Sequence, residues 1–227
     1  MVCGETLEYL ASSRAATCYY CGKTDPAHII CKAGHYVCDT CHGRNVVASI
    51  IRYLEETTQQ SPQAIAEQLF TFPSLPMLGC EHALIANSAL LVGLRNSGRL
   101  PVTEEMLQEA IQRTQRQAIG GYCGLTGVCG VAVGIGAAFS VLLSAACPKD
   151  KETRLTMEVV SRIVQSIAEL TGPCCCKAFV RVALGVAEAA CGEIWGISFS
   201  PTKEPICTHG EVHPHGCREE KCPYFAR

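Results

Sequence analysis

Apolar positions recur at helical spacing along most of this chain, and the stretches where they lapse are filled by cysteine, histidine and glycine. Glu5 to Arg14 reads as a short amphipathic helix. Residues 17 to 43 hold few large aliphatics. A helix resumes from Asn45 to about Gln60, with Val46, Val47, Ile50, Ile51 and Leu54 three and four residues apart. Ser61-Pro62 restarts it as an N-cap followed by proline at the first helical position. Phe72-Pro73-Ser74-Leu75-Pro76 breaks the chain, and the main boundary is placed there.

Five helical segments follow. The first runs from Cys80 to about Arg95, and the second from its cap Thr103 to about Gln117. A glycine-rich loop over 120–127 leads into an apolar helix from about Cys129 to Cys147. The next covers Thr153 to Leu170, with Leu155, Val159, Ile163, Ile167 and Leu170 on one face, and a last helix runs from Pro173 through Ala190. Trp195 to Ser200 is a short strand or an extended packing segment, and the tail from Cys207 to Tyr224 is again rich in cysteine and histidine. The fold class is therefore mainly α: a helical bundle with an N-terminal zinc-ribbon or knuckle module and a Cys/His-rich tail. Its domains are residues 1–72, 73–200 and 201–227.

Composition narrows the chemistry. Seventeen cysteines in 227 residues, behind a start that lacks a basic and an apolar signal region, point to metal ligands or working thiols in a reducing cytoplasm. A net charge of −2 gives no case for nucleic acid. Residues 118–148 hold no charged residue, yet they are glycine-rich at the start and stand alone, so they read as a buried segment and not a membrane span. No Ser/His/Asp set, P-loop or dinucleotide fingerprint is present. The glycines at 130, 134 and 136 suit close helix packing.

The cysteines form three groups. Cys18-x2-Cys21 and Cys38-x2-Cys41 are paired knuckles that can close four thiolates around one structural zinc, with Gly22 easing the first turn. Cys31 and His35 lie between the pairs, so the order resembles the first six ligands of a RING finger. The last pair of that pattern is missing after Cys41, which makes a single-zinc ribbon the simpler reading. His28 and His42 are taken as surface or packing residues.

In the second group, short connections make successive helices antiparallel. Cys80, then Cys123 and Cys129, then Cys174, Cys175 and Cys176 would converge on one end of the bundle. Helix N-termini there favour thiolates, an anionic iron–sulfur cluster or an anionic substrate. Cys80, Cys129 and Cys175 are the candidate reactive thiols, and all six are candidate cluster ligands. His82 could assist Cys80 only from a distorted helix start. Cys147 lies roughly 27 Å from Cys129 along its helix, and with Cys191 it is taken as a packed core thiol.

In the third group, Cys207, Cys217 and Cys222 are candidate metal ligands, forming either a second zinc site or a lid that completes the central pocket. His213 and His215 read as exposed residues.

Cys80 opening a helix, the Gly-x-Cys-Gly-x-Ala-x-Gly run at Gly127–Gly134 and the later cysteines at 174–176 resemble the redox-active family named for its C-GCAxxG-C-C pattern. The likeness covers roughly residues 79 to 191. Cys123 and the tripled later cysteine depart from that pattern. The knuckles and tail also resemble an uncharacterised Cys-rich domain family of anaerobes and methanogens, sometimes found with methyltransferase or radical-SAM genes. The resemblance implies redox or sulfur-transfer chemistry with a small thiol substrate or a redox partner protein. The alternative is a zinc-stabilised scaffold, or a soft-metal carrier, that docks on such an enzyme.

Overall fold

The computed structural model describes residues 2–3, 5–170, 172–200 and 205–226, with the side chains of 42–45, His42 among them, outside the description. The chain divides into two compact units, Met1–Ser49 and Ile50–Arg227. The break at 72–76 falls inside the second.

In the first unit, strands β1 (Leu7–Thr17) and β2 (Thr24–Cys31) pair antiparallel, from Leu7 opposite Cys31 to Thr17 opposite Thr24. The helix expected over Glu5 to Arg14 is thus a strand. The local preference of Leu, Glu and Ala for helix yields to ladder bonds with β2, a tertiary override of a weak propensity. Gly22, at φ 71°, turns the chain after Cys18, where the Gly22 N–H donates to the Cys18 carbonyl. Helix α1 (Asp39–Glu56) begins at the second cysteine pair, six residues before the apolar pattern does.

The second unit is helical. Helix α2 (Pro62–Phe70) starts as expected, with the Ser61 hydroxyl accepting from the Ala64 N–H at 3.2 Å. Helices α3 (Glu81–Asn96), α4 (Glu104–Gln117), α6 (Gly130–Leu142), α7 (Asp150–Glu169) and α8 (Cys176–Trp195) follow the periodic segments, and a five-residue helix α5 (Tyr122–Thr126) sits in the glycine-rich loop. Helix α6 packs on α3, α4, α7 and α8.

Helix α6 stops at Leu142, short of Cys147. Ser144 takes the left-handed conformation at φ 53°. The Ala145 N–H then donates to the Ser140 carbonyl and the Ser144 N–H to that of Val141. This is the paired closure of a Schellman turn, hidden from the sequence because serine replaces the usual glycine. Cys147 is consequently exposed and not packed, whereas Cys191 is fully buried as expected. Helix α8 ends at left-handed Gly196, and 196–200 is irregular chain anchored where Arg99 donates to the Ser198 carbonyl.

The junction of α3 and α6 sets the bundle. A Cβ on Gly134 would collide with the Ala83 carbonyl oxygen, and one on Gly130 would lie 3.6 Å from the Ala83 methyl. Buried Asn87, one turn further along α3, donates through Nδ2 to the Ala110 carbonyl, Thr114 Oγ1 and the Gly134 carbonyl. Three helices are tied by one amide. Gly134→Ala should cost about 1–3 kcal/mol in urea unfolding through overpacking. Gly124→Ala, whose Cβ meets nothing within 4 Å, should stay within about 0.5 kcal/mol. Equal losses in the two variants would show that the close approach is not what holds the helices.

Candidate metal and thiol centres

The N-terminal unit gathers two groups whose ligand atoms all lie within 4.8 Å of one another. The first is Cys18, Cys21, Cys38 and Cys41, as the spacing anticipates. Cys18 and Cys38 are buried, with the Cys21 and Cys38 sulfurs 3.6 Å apart. The Cys38 N–H donates to Cys18 Sγ at 3.3 Å. Burial alone would raise the Cys18 thiol, but N–H donors from Cys38, Cys21 and Tyr20 outweigh it and bring it down to about 6. The shared hydrogen bond with Cys21, then burial, pushes Cys41 up to about 12. Cys18 is ready to ionise while Cys38 and Cys41 are pushed up, so a metal that binds here releases protons.

The second group is Cys3, Cys31 and His35. The Cys3 and Cys31 sulfurs are 3.7 Å apart, and His35 Nδ1 lies 3.3 Å from Cys3 and 3.4 Å from Cys31. In place of the pair missing downstream of Cys41, one cysteine from upstream joins Cys31 and His35. Pairing of Leu7 with Cys31 in the hairpin returns the chain start to that sulfur. Sequence reasoning passed over Cys3 because it has no partner at knuckle spacing.

In the helical unit, cysteine occupies the N-cap of three helices: Cys80 of α3, Cys129 of α6 and Cys175 of α8. Ser, Thr, Asp and Asn are the residues that stabilise that position. The first turns of α3 and α6 meet where Ala83 faces Gly130. Cys123 and Cys174 are within hydrogen-bonding reach of each other, Cys174 is likewise near Cys176, and Cys129 faces both Cys123 and Cys174. Cys175 turns elsewhere, toward Arg218, Cys207 and Cys222.

Burial and thiol contacts work against ionisation at Cys123, Cys129 and Cys174. The hydrogen bond with Cys174, then burial, raises the Cys123 thiol. Cys174 is lowered by its bond to Cys123, but the bond to Cys176 and burial carry it to about 12. Burial takes Cys129 to about 11 against the pull of the Val131 and Ala132 N–H groups. Desolvation and thiol crowding exceed what helix ends contribute.

Beneath the start of α8 lies a group of buried cations that the sequence reading did not single out. Lys177 is 2% exposed, with Nζ 4.8 Å from the Phe70 ring centre. Arg181, 3% exposed, pairs with both Glu67 oxygens at 2.6 and 2.8 Å. The available signal was two basic residues four apart in the otherwise apolar first half of a helix. His82 is fully buried, and burial holds its pKa down to about 3. Its Nδ1 donates to the Gly79 carbonyl at 3.2 Å, leaving Nε2 as a buried lone pair with no hydrogen-bond partner among the described residues. It therefore does not need Cys80 to account for its place.

The tail packs on the same end. The Cys207 N–H donates to the Tyr224 carbonyl at 2.6 Å, Arg218 donates to the Pro173 carbonyl, and Arg181 lies over the Tyr224 ring. His215 is exposed as expected, and His213 is half-buried. Among the described residues no helix is long and apolar enough to cross a membrane.

The chain belongs to a family of unknown function (DUF5714), whose model matches residues 50–225. The match begins at the first residue of the helical unit, so the N-terminal cysteine module lies outside it. No curated protein and no solved structure matches.

Replacing Cys38 with serine should remove one equivalent of zinc and disorder the N-terminal unit while the far-UV helical signal of 80–191 survives. Zinc content equal to wild type, measured by mass spectrometry of desalted protein, would dismiss the tetrad as a metal site.

Proposed function

We propose that this protein is a metal–thiolate protein with two roles for cysteine. The Cys18/Cys21/Cys38/Cys41 tetrad is a structural zinc site, since residues 17–43 hold too few large apolar side chains to fold by burial alone. Cys80, Cys123, Cys129, Cys174 and Cys176 are the working set, serving redox or sulfur-transfer chemistry. The observation that carries the reading is cysteine at the N-cap of three separate helices, with the loop cysteine Cys123 beside two of those helix starts.

The raised pKa values of Cys123, Cys129 and Cys174 weigh against a free thiolate nucleophile and favour a site that ionises when metal arrives. Several sulfurs at helix starts, with N–H groups of Val131 and Ala132 directed at Cys129, suit an anionic iron–sulfur cluster. Such a cluster would supply one-electron transfer or an iron that takes a sulfur ligand. The protein's own contribution is to fix the sulfurs on rigid helices, exclude water and donate hydrogen bonds to them. The likeness to the C-GCAxxG-C-C family leans the same way. Its partners would be a small thiol or sulfur compound, or a redox protein, in the cytoplasm of an anaerobe.

Protein reconstituted with iron and sulfide without oxygen should turn brown with broad absorption in the blue. Cys129→Ser should lose that colour, and Cys191→Ser should keep it. Colourless protein that retains only zinc would favour the scaffold that docks on a methyltransferase or radical-SAM enzyme.

A further inference from the structure

The hairpin and the turn after it bring together a second set of donors, separate from the four thiols of the tetrad. Cys31 ends β2, and a tight turn follows. The Gly34 N–H donates to the Cys31 carbonyl at 2.8 Å, with Gly34 left-handed at φ 82°. This turn sets His35 against the sulfur, and the His35 N–H donates to Cys31 Sγ at 3.2 Å. The third donor arrives from the other strand. The Lys32 N–H donates to the Thr6 carbonyl and Leu7 pairs with Cys31, so Cys3 comes back to the same turn.

The spacing of the three donors is that of a coordination shell. Zn–S bonds of about 2.3 Å and a Zn–N bond of about 2.0–2.1 Å, at tetrahedral angles, hold two sulfurs about 3.8 Å apart. The same bonds hold a sulfur and a nitrogen about 3.5 Å apart. The Cys3 and Cys31 sulfurs are 3.7 Å apart, and His35 Nδ1 lies 3.3 and 3.4 Å from them. A single ring nitrogen has one proton or one lone pair and can serve only one of two thiols, whereas a metal ion uses all three donors. The Tyr19 ring stands edge-on to the imidazole, with centroids 5.3 Å apart and planes at 87°, and steadies it in that direction.

We infer that Cys3, Cys31 and His35 hold a second metal ion, zinc or a similar divalent cation, whose fourth position takes a donor from outside the chain. Among the described residues no fourth sulfur, imidazole or carboxylate joins the three, and Cys3 is exposed, so solvent reaches the site. Two thiolates and a neutral imidazole cancel the charge of a divalent ion. The fourth position therefore accepts water or an anionic donor such as a thiolate. The two sites interleave along the chain, because Cys31 and His35 fall between the two pairs of the tetrad. Beside His35, the Tyr36 carbonyl accepts the Tyr19 N–H at 2.8 Å, which ties the turn to the first knuckle. The inference rests on these three donors and not on the reading of the central thiols.

Cys3 and Cys21 are both exposed, so each reports on one site. The full chain is stripped with a chelator, reloaded with zinc and treated with iodoacetamide. Zinc should slow labelling of Cys3 by about tenfold or more, and that of Cys21 likewise, while exposed Cys147 is unaffected. In His35→Ala, Cys3 should label freely again with Cys21 still protected. Cys3→Ser alters an exposed residue ahead of the hairpin, and it should bind one zinc equivalent fewer than wild type. Labelling of Cys3 that ignores zinc beside a protected Cys21, or full zinc content in Cys3→Ser, would overturn the second site and leave the tetrad standing. A disulfide joining Cys3 to Cys31 in the zinc-loaded chain, found by peptide mass mapping, would overturn it too. Cobalt in place of zinc reads the fourth position. Added 2-mercaptoethanol should shift the visible spectrum of wild type and leave that of Cys3→Ser unchanged. A wild-type spectrum that does not respond would refute the outside donor.

Discussion

Everything in the helical unit depends on how closely α6 can lie against α3. With hydrogen at Gly134 the backbone of one helix touches the Ala83 carbonyl of the other, and Asn87 seals the contact one turn along. The amide also reaches Ala110 and Thr114, so α4 is fixed in the same step. These bonds through Nδ2 offset part of the cost of burying the amide. The consequence for chemistry is positional. Ala83 and Gly130 both lie in first turns, so their contact brings two helix starts, and the N-cap cysteines that open them, to one end.

At that end the balance of charge is unusual. Arg181 has Glu67 as a partner, but Lys177 and Arg218 face sulfur. Ionised sulfur would satisfy them, while burial pushes the Cys175 thiol up. Under the proposed reading, a metal bound there by ionised sulfurs would supply the negative charge that the buried bases face. The same logic operates without buried bases in the N-terminal tetrad, where backbone N–H groups do the work at Cys18.

The two units use cysteine differently. In residues 17–43 sulfur and imidazole replace a hydrophobic core, and a two-stranded hairpin has little stability by itself. The helical unit has a continuous apolar core around Ile85, Leu90, Ile135 and Phe139. Cys191 is part of that core, whereas Cys80, Cys129 and Cys175 stand at helix starts. The family match covers that second unit and leaves the knuckles outside, so the activity belongs with the helices under the reading proposed here.

Patterned residues determined most of the helices. The Ser61 and Thr103 caps and the apolar stripes locate α2, α3, α4, α7 and α8, because cap chemistry and a 3.6-residue period are local properties. The paired knuckles likewise place the tetrad within two short stretches of chain. What depends on partners distant in sequence came only from the tertiary structure. A segment composed for helix became β1 because β2 offered it ladder bonds. Cys3 became a neighbour of Cys31 through that same pairing. Cys147 moved to the surface because Ser144 accepted a left-handed turn that serine does not announce. Within the Cys174–Cys176 run, identical in sequence terms, adjacent residues at a helix start point to different sides, so the middle thiol meets the tail while its neighbours meet Cys123 and each other. Sequence supplied the sulfurs, and the direction each one faces was set by helix phase and packing.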